Sequence, residues 1–92
     1  MAYRTPFTPR QRREAIRAYR SFRKHRSILR KYYPPANPRQ REILREYGEV
    51  IGEIANELRK YDSAVDVLAL TRADATAKWL AMEYWRLNRT ED

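Results

Sequence analysis

The sequence predicts an all-α fold: a bundle of three helices, or of four if the C-terminal stretch is interrupted. Three observations lead to this prediction. No segment alternates apolar and polar residues over the length of a strand, whereas apolar residues at helical spacing recur in three segments. The 92 residues include only two glycines, and the five prolines all lie before residue 39. Because turns depend on these two residue types, the chain has few places to reverse direction.

The first helix is expected to begin at Thr8 and to end near Tyr33. Thr8 supplies a capping hydroxyl, Pro9 fits the first helical position, and Gln11 stands three residues after the cap. The two prolines at 34–35 cannot donate the hydrogen bonds that would continue the helix. Its apolar stripe consists of Tyr19, Phe22, Leu29 and Tyr33.

The second helix is expected from about Pro38 to Lys60, because residues 37–40 repeat the capping pattern of the first helix. Its apolar residues alternate three and four apart: Leu44, Tyr47, Ile51, Ile54, Leu58 and Tyr61. Its opposite face is acidic: Glu42, Glu46, Glu49, Glu53 and Glu57. Gly48 and Gly52 each cost about 1 kcal/mol relative to alanine. They mark either the close approach of another helix or a tolerated weak point.

The third helical stretch is expected to begin near Asp62 or Ser63 and to run to Asn88, with a break at 71–74 as an alternative. Its apolar residues cover two faces. One face carries Val65, Leu68, Ala75, Trp79 and Met82. The other carries Leu70, Ala73, Ala77, Leu80, Tyr84 and Leu87. A helix in a monomeric bundle buries only one broad stripe, so we assign this second set to a homodimer interface.

These elements predict how the chain is organised. The connection between the first two helices is short, so they should form an antiparallel hairpin, with the long C-terminal helix packed across it. Residues 1–7 are expected to be a flexible basic arm, and residues 8–92 a single helical domain.

Charge is divided unevenly along the chain. Residues 1–45 hold fourteen of the twenty lysines and arginines and only two acids, whereas residues 46–92 hold six bases and ten acids. On the first helix, cations recur at helical spacing opposite the apolar stripe: Arg13, Arg17, Arg20, Lys24 and Lys31. A rigid row of positive charge suits a nucleic-acid backbone. The cations expected to support this row are Arg10, Arg23 and Arg30.

The sequence therefore predicts non-catalytic binding of DNA or RNA through the backbone. The row lacks the Asn and Gln side chains that read bases, so binding should be largely independent of sequence. One alternative is a homo-oligomeric structural or adaptor subunit whose basic helix docks on an acidic protein partner. A sharper variant of nucleic-acid binding is a helix-turn-helix over residues 65–80.

Several functional classes are not expected. Cysteine is absent, which excludes disulfides and thiolate chemistry. His25 is the single histidine, and neither a glycine-rich phosphate loop nor a nucleophile–base–acid set is present, so we expect no enzyme, cofactor, metal or small-molecule substrate. No apolar run approaches the roughly 18–20 residues of a membrane span, and residues 1–9 lack a hydrophobic signal core. We therefore expect a cytoplasmic protein, or one associated with a nucleoid or virion.

Overall fold

The computed structural model describes residues 7–89, which form helices joined by short connections and contain no strand. Helix α1 spans Pro9–Tyr32, α2 spans Pro38–Leu58 and α3 spans Val67–Arg89, with a short 3-10 turn at Asp62–Ala64. The prediction of an all-α fold with three helices is confirmed. None of the described helices has the length and apolarity needed to cross a membrane.

The start of α1 follows the predicted capping pattern. The Thr8 hydroxyl accepts a hydrogen bond from the backbone of Gln11 at 3.1 Å, and the Gln11 side chain accepts one from the backbone of Thr8 at 2.9 Å. Phe7, which was predicted to lie in the arm, is buried in the core. It precedes the cap directly, so its packing helps to fix where the helix begins. The rest of the predicted arm, residues 1–6, lies outside the described residues.

The start of α2 uses the same residue types in a different arrangement. The Asn37 side chain caps the helix by accepting from the backbone of Gln40 at 2.8 Å. The Gln40 side chain does not complete a reciprocal box; it accepts instead from the backbone of Ala36 at 2.8 Å. Gln40 is fully buried, and its Nε2 has no hydrogen-bond partner within residues 7–89. The Gln40 side chain therefore stabilises the short connection between α1 and α2.

The start of α3 differs from the prediction. Ser63 was expected to cap it, but the helix begins at Val67, and Asp66 accepts from the backbone of Ala69 at 3.0 Å. The backbone of Asp66 in turn donates to the Glu57 carboxylate at 2.8 Å. Because Asp66 is itself held by α2, it supplies a fixed cap three residues after Ser63.

The third helix continues without interruption through residues 71–74. The alternative with a break at that point, and with it a fourth helix, is therefore wrong. So is the helix-turn-helix over residues 65–80, because no turn separates two helices there. Nothing in this stretch forces a break, since it contains neither glycine nor proline.

The core lies along α2, which packs against both α1 and α3, whereas α1 and α3 contact each other much less. The α1 side of the core is formed by Phe22 and Leu29. The α2 residues in it are Ile43, Leu44, Tyr47, Val50, Ile51 and Ile54. Tyr61, predicted as the last residue of the α2 seam, is almost fully exposed after the helix ends.

The face of α3 that was assigned to a homodimer is used inside the chain. Five of its six residues are buried in the core: Leu70, Ala73, Ala77, Leu80 and Tyr84. Leu87 is partly buried against the same core. Ala73 and Ala77 are buried, and their small side chains allow two helices to pack closely; α3 packs mainly on α2. The exposed apolar side chains of α3 lie elsewhere: Leu68 is 58%, Trp79 54% and Met82 71% exposed.

Hydrogen bonds from side chains hold the helices together. Near the start of α1, Arg12 donates to the carbonyl of Leu58 at 2.9 Å. Further along, Arg26 donates through Nε to the carbonyl of Leu44 at 2.9 Å. Arg12 comes before Arg26 on α1, whereas the acceptor of Arg12, Leu58, comes after the acceptor of Arg26, Leu44, on α2.

The end of α1 is fixed by α3. The hydroxyl of Tyr84 donates to the carbonyl of Tyr33, which caps α1. The ring of Trp85 meets that of Tyr33 edge to face, with 4.7 Å between centroids. A carbonyl left without an intrahelical partner is thus satisfied by a neighbouring helix.

Candidate nucleic-acid interface

Five cations predicted to form a row on α1 are all exposed in the structure. We call this row the basic ridge, and it consists of Arg13, Arg17, Arg20, Lys24 and Lys31. They lie within about 40° of one line along the helix, and the axial distance from first to last is about 27 Å. A shallow depression of about 280 Å³ lies among the first three and is also lined by Ile16.

The ridge cations have no acidic partner in the described part of the chain. Within residues 7–89, no carboxylate lies within 4.0 Å of any of them. The Lys31 ammonium lies 5.3 Å from the centre of the Tyr32 ring. Ordinary surface cations are often paired on their own helix at i, i+4. The ridge cations are not paired in this way within residues 7–89, so their positive charge faces solvent.

The acidic face of α2 does not neutralise the ridge, because its carboxylates have closer bases. Four of its five glutamates lie within 4.0 Å of a basic group on α2 or directly after it. Examples are Glu49 with Arg45 at 2.7 Å and Glu57 with Lys60 at 2.7 Å. The hydrogen bond from Lys60 and the backbone N–H of Asp66 lower the pKa of Glu57.

The three supporting cations have different surroundings. Arg10 pairs with Glu14 at 3.3 Å, so part of its charge is compensated. The Arg23 guanidinium lies 5.6 Å from the centre of the Tyr19 ring. Arg30 is exposed, without an ion-pair partner among the described residues, and lines a cavity beside the ridge.

Two arginines of α1 that were not predicted as site residues face α2. Arg12 donates to the carbonyls of Leu58 and Lys60 and pairs with Asp62. Arg26 donates to Leu44, and its guanidinium lies against Gly48. Arg12 therefore stabilises the bundle, whereas Arg26 leaves its terminal nitrogens at the edge of the cavity.

The chain matches no family model, no curated protein and no solved structure.

His25 is a structural residue in this arrangement. The indole N–H of Trp85 donates to His25 Nε2 at 3.2 Å, and His25 Nδ1 lies 3.1 Å from the Tyr47 hydroxyl. An indole nitrogen can only donate, so Nε2 must be unprotonated and the neutral ring carries its proton on Nδ1. Burial lowers the pKa of His25, and it raises the pKa of Tyr47 to about 12. Both groups are therefore neutral at physiological pH.

The described residues contain no group of three or more His, Cys, Asp or Glu side chains placed to hold a metal ion. The chemistry that the arrangement supports is electrostatic: a rigid, exposed row of cations with donors directed outward, suited to an extended polyanion.

Proposed function

We propose that this protein binds the sugar-phosphate backbone of DNA or RNA through the basic ridge of α1, without catalysis. The observation that carries the proposal is the absence of any carboxylate within 4.0 Å of the five ridge cations in residues 7–89. A row of unpaired charge on a rigid helix attracts a polyanion and releases the counterions of that polyanion on binding. The supporting contacts would come from Arg10, Arg23 and Arg30.

Binding should be largely independent of sequence. Base discrimination requires side chains such as Asn, Gln or bidentate Arg inserted into a groove. The ridge contains neither Asn nor Gln, and its Arg and Lys side chains form one straight row along a helix whose other side packs against the bundle, so backbone contact is the mode that it suits.

We further propose that α1 and α2 form an antiparallel hairpin. The opposite order of the bonds from Arg12 to Leu58 and from Arg26 to Leu44 supports this arrangement. The hairpin matters for the function because α2 then covers the apolar side of α1 along its length and leaves the ridge outward.

A mobility-shift assay with random-sequence duplex and single strands, of DNA and of RNA, tests the proposal. At about 50 mM salt we expect micromolar or tighter binding to at least one of them. Reversing three ridge charges, with Arg17→Glu, Arg20→Glu and Lys24→Glu, should abolish the shift while helicity is unchanged. The matched control reverses three exposed cations away from the ridge: Arg41→Glu, Arg59→Glu and Arg72→Glu. This control changes the net charge equally and should retain most of the binding.

The competing function is that of an adaptor whose basic ridge docks on an acidic protein surface. The exposed apolar residues Leu68, Trp79 and Met82 favour it, since they offer a second surface for protein contact. Failure of the wild-type chain to bind any of the nucleic acids would decide for this function.

We also propose that the chain forms a homodimer. With the predicted interface buried in the core, self-association would use the exposed apolar side chains of α3 at 68, 79 and 82. Two ridges on one particle would raise the avidity for a long polyanion without any new contact.

A further inference from the structure

A cavity of about 480 Å³ lies between α1 and α2, beside the basic ridge. Four cations and one hydroxyl line it: Arg23, Arg26, Ser27, Arg30 and Lys31. Gly48 and Ile51 of α2 form the opposite wall. Among residues 7–89, no carboxylate lines this space, and its volume is within the range of sites for small ligands. Four cations without a neighbouring carboxylate favour the binding of an anion.

Arg26 is the cation of the cavity whose orientation is set by a hydrogen bond within the protein. Its Nε donates to the carbonyl of Leu44 at 2.9 Å, which orients the guanidinium. The terminal nitrogens have no partner among residues 7–89, although the side chain is partly buried. A partly buried arginine normally has its donors satisfied by a carboxylate or a carbonyl. Here they remain available to a ligand in the cavity.

Gly48 provides the space that this guanidinium occupies. A β-carbon at position 48 would come within 3.0 Å of the guanidinium carbon of Arg26 and 3.1 Å of its Nη2. At the other glycine of α2, Gly52, nothing beyond the glycine's own stretch of helix lies within 4 Å of where a β-carbon would stand. The room at position 48 is therefore specific to Arg26.

The surroundings of Arg26 also disfavour its charge in the absence of a ligand. Burial, and secondly the charge of Arg30, lower the pKa of Arg26. An anion between these two residues would offset both effects, and the planar guanidinium can hold phosphate or carboxylate oxygens with two parallel bonds.

We propose that this cavity is a phosphate-binding site, with Arg26 as the oriented donor, Arg23, Arg30 and Lys31 as mobile cations, and Ser27 as a hydroxyl donor. Phosphate is favoured over a peptide carboxylate because four cations line the same open cavity. A terminal phosphate carries a charge of about −1.5 to −2, whereas a carboxylate carries only −1.

The phosphate could belong to a nucleic acid or to a small free phosphate compound. The first source fits the geometry, because Arg23 and Arg30 lie about 90° around α1 from the ridge, so a strand on the ridge passes the mouth of the cavity. For that source the inference rests on the proposed function. It is therefore tested first with a free anion, so that the two can fail separately.

The test is a titration of the full chain with inorganic pyrophosphate, followed by NMR of the arginine side chains, with ionic strength held constant by KCl. We expect saturable shifts of the Arg26 and Arg30 Nε–H signals. Arg30→Gln should weaken the affinity about tenfold, which is the usual effect of removing one charge-assisted hydrogen bond. Gly48→Ala should weaken it similarly by displacing Arg26, whereas Gly52→Ala should leave it unchanged. Arg13→Gln, on the ridge and distant from the cavity, should have little effect.

The site would be overturned by shifts that do not saturate, or by equal losses in Gly48→Ala and Gly52→Ala. It would also be overturned if Arg13→Gln weakened pyrophosphate binding as much as Arg30→Gln. Saturable binding of a glutamate-rich peptide without binding of pyrophosphate would assign the cavity to an acidic protein and likewise end the proposal.

Oligonucleotides distinguish the sources of the phosphate. If the ligand is a nucleic-acid strand end, a single strand with a 5′-phosphate should bind more tightly than the same strand with a 5′-hydroxyl, and Arg30→Gln should remove the difference. If the ligand is an internal backbone phosphate, Gly48→Ala, which alters neither the ridge nor its supporting cations, should weaken both strands equally. If it is a free phosphate compound, Gly48→Ala should weaken pyrophosphate binding while oligonucleotide affinity is retained.

Discussion

The guanidinium of Arg26 lies so close to the backbone of Gly48 that a β-carbon there would stand 3.0 Å from the guanidinium carbon. An arginine of the first helix is thereby accommodated by a glycine of the second. The contact explains the placement of this glycine within an otherwise regular helix, and it orients the cationic wall of the cavity.

The two glycines of α2 should respond differently to alanine. Gly52→Ala should raise the free energy of unfolding by about 0.5–1 kcal/mol, because alanine restricts the unfolded chain and favours helix. Gly48→Ala should gain less or lose stability, because Arg26 must move and its bond to Leu44 is strained. Thermal unfolding measures both, since about 1 kcal/mol shifts the midpoint by roughly 4–8 °C in a domain of this size. Equal stabilisation by the two substitutions would contradict the packing of Arg26.

Arg12 should contribute substantially to stability. It donates to the Leu58 carbonyl at 2.9 Å and to the Lys60 carbonyl at 3.2 Å, and it pairs with Asp62. These carbonyls end α2, where a cation also complements the helix dipole. Arg12→Ala should therefore lower the free energy of unfolding by about 1–3 kcal/mol in urea titration. The adjacent, exposed Arg13→Ala should stay within about 0.5 kcal/mol of the wild type.

Stability should fall as the pH is lowered through the titration range of His25. Burial lowers the pKa of His25 in the folded chain, so the unfolded chain, with a pKa of about 6.5, takes up the proton first. The contribution of neutral His25 to the free energy of unfolding is complete above about pH 6.5. It is lost as the pH falls from there through the pKa of His25 in the folded chain. Urea unfolding at about pH 7.5 and pH 5 measures this loss of stability. Both pH values lie above the lowered pKa of Glu57 and of Glu83 in the folded chain.

The matched variant for this pH effect is His25→Gln. It keeps an acceptor for the indole of Trp85 but cannot titrate, so its stability should depend less on pH over the same interval. An unchanged pH dependence in this variant would assign the effect to other groups.

Self-association should depend on the exposed face of α3. Light scattering of the wild-type chain should give about twice the 11.1 kDa mass of one chain. The double variant Trp79→Lys and Met82→Lys should lose the dimer and give the mass of one chain, with unchanged helicity because both side chains are exposed. A wild-type particle of one chain at high protein concentration would rule out the dimer.

The sequence predicted the helices well because their ends depend on local chemistry. The cap at Thr8 and the two prolines after Tyr33 act on neighbouring backbone groups, and the structure has both ends of α1 within one residue of their predicted positions. The start of α3 was harder to predict because Ser63 and Asp66 are both good caps. Asp66 is selected by a contact with Glu57, which only the folded chain brings near.

Long-range packing was less predictable. Both faces of α3 are apolar, and periodicity alone does not say which one faces α2. The face with Ala73 and Ala77 packs inward, and the bulkier Trp79 and Met82 remain outside. Similarly, Arg26 lies between Phe22 and Leu29 of the apolar stripe of α1, but its contact with Gly48 depends on the register between the two helices. The cavity beside the ridge therefore became visible only in the structure.

The salt dependence of binding to a random-sequence DNA duplex tests the central claim most directly. If the five ridge cations each neutralise one phosphate, the logarithm of the affinity should fall with the logarithm of the salt concentration with a slope of about −4 to −5. Reversal of Arg17, Arg20 and Lys24 should abolish this binding. A slope near zero, or no measurable binding to duplex or single strands at about 50 mM salt, would contradict the claim that the ridge is a nucleic-acid surface.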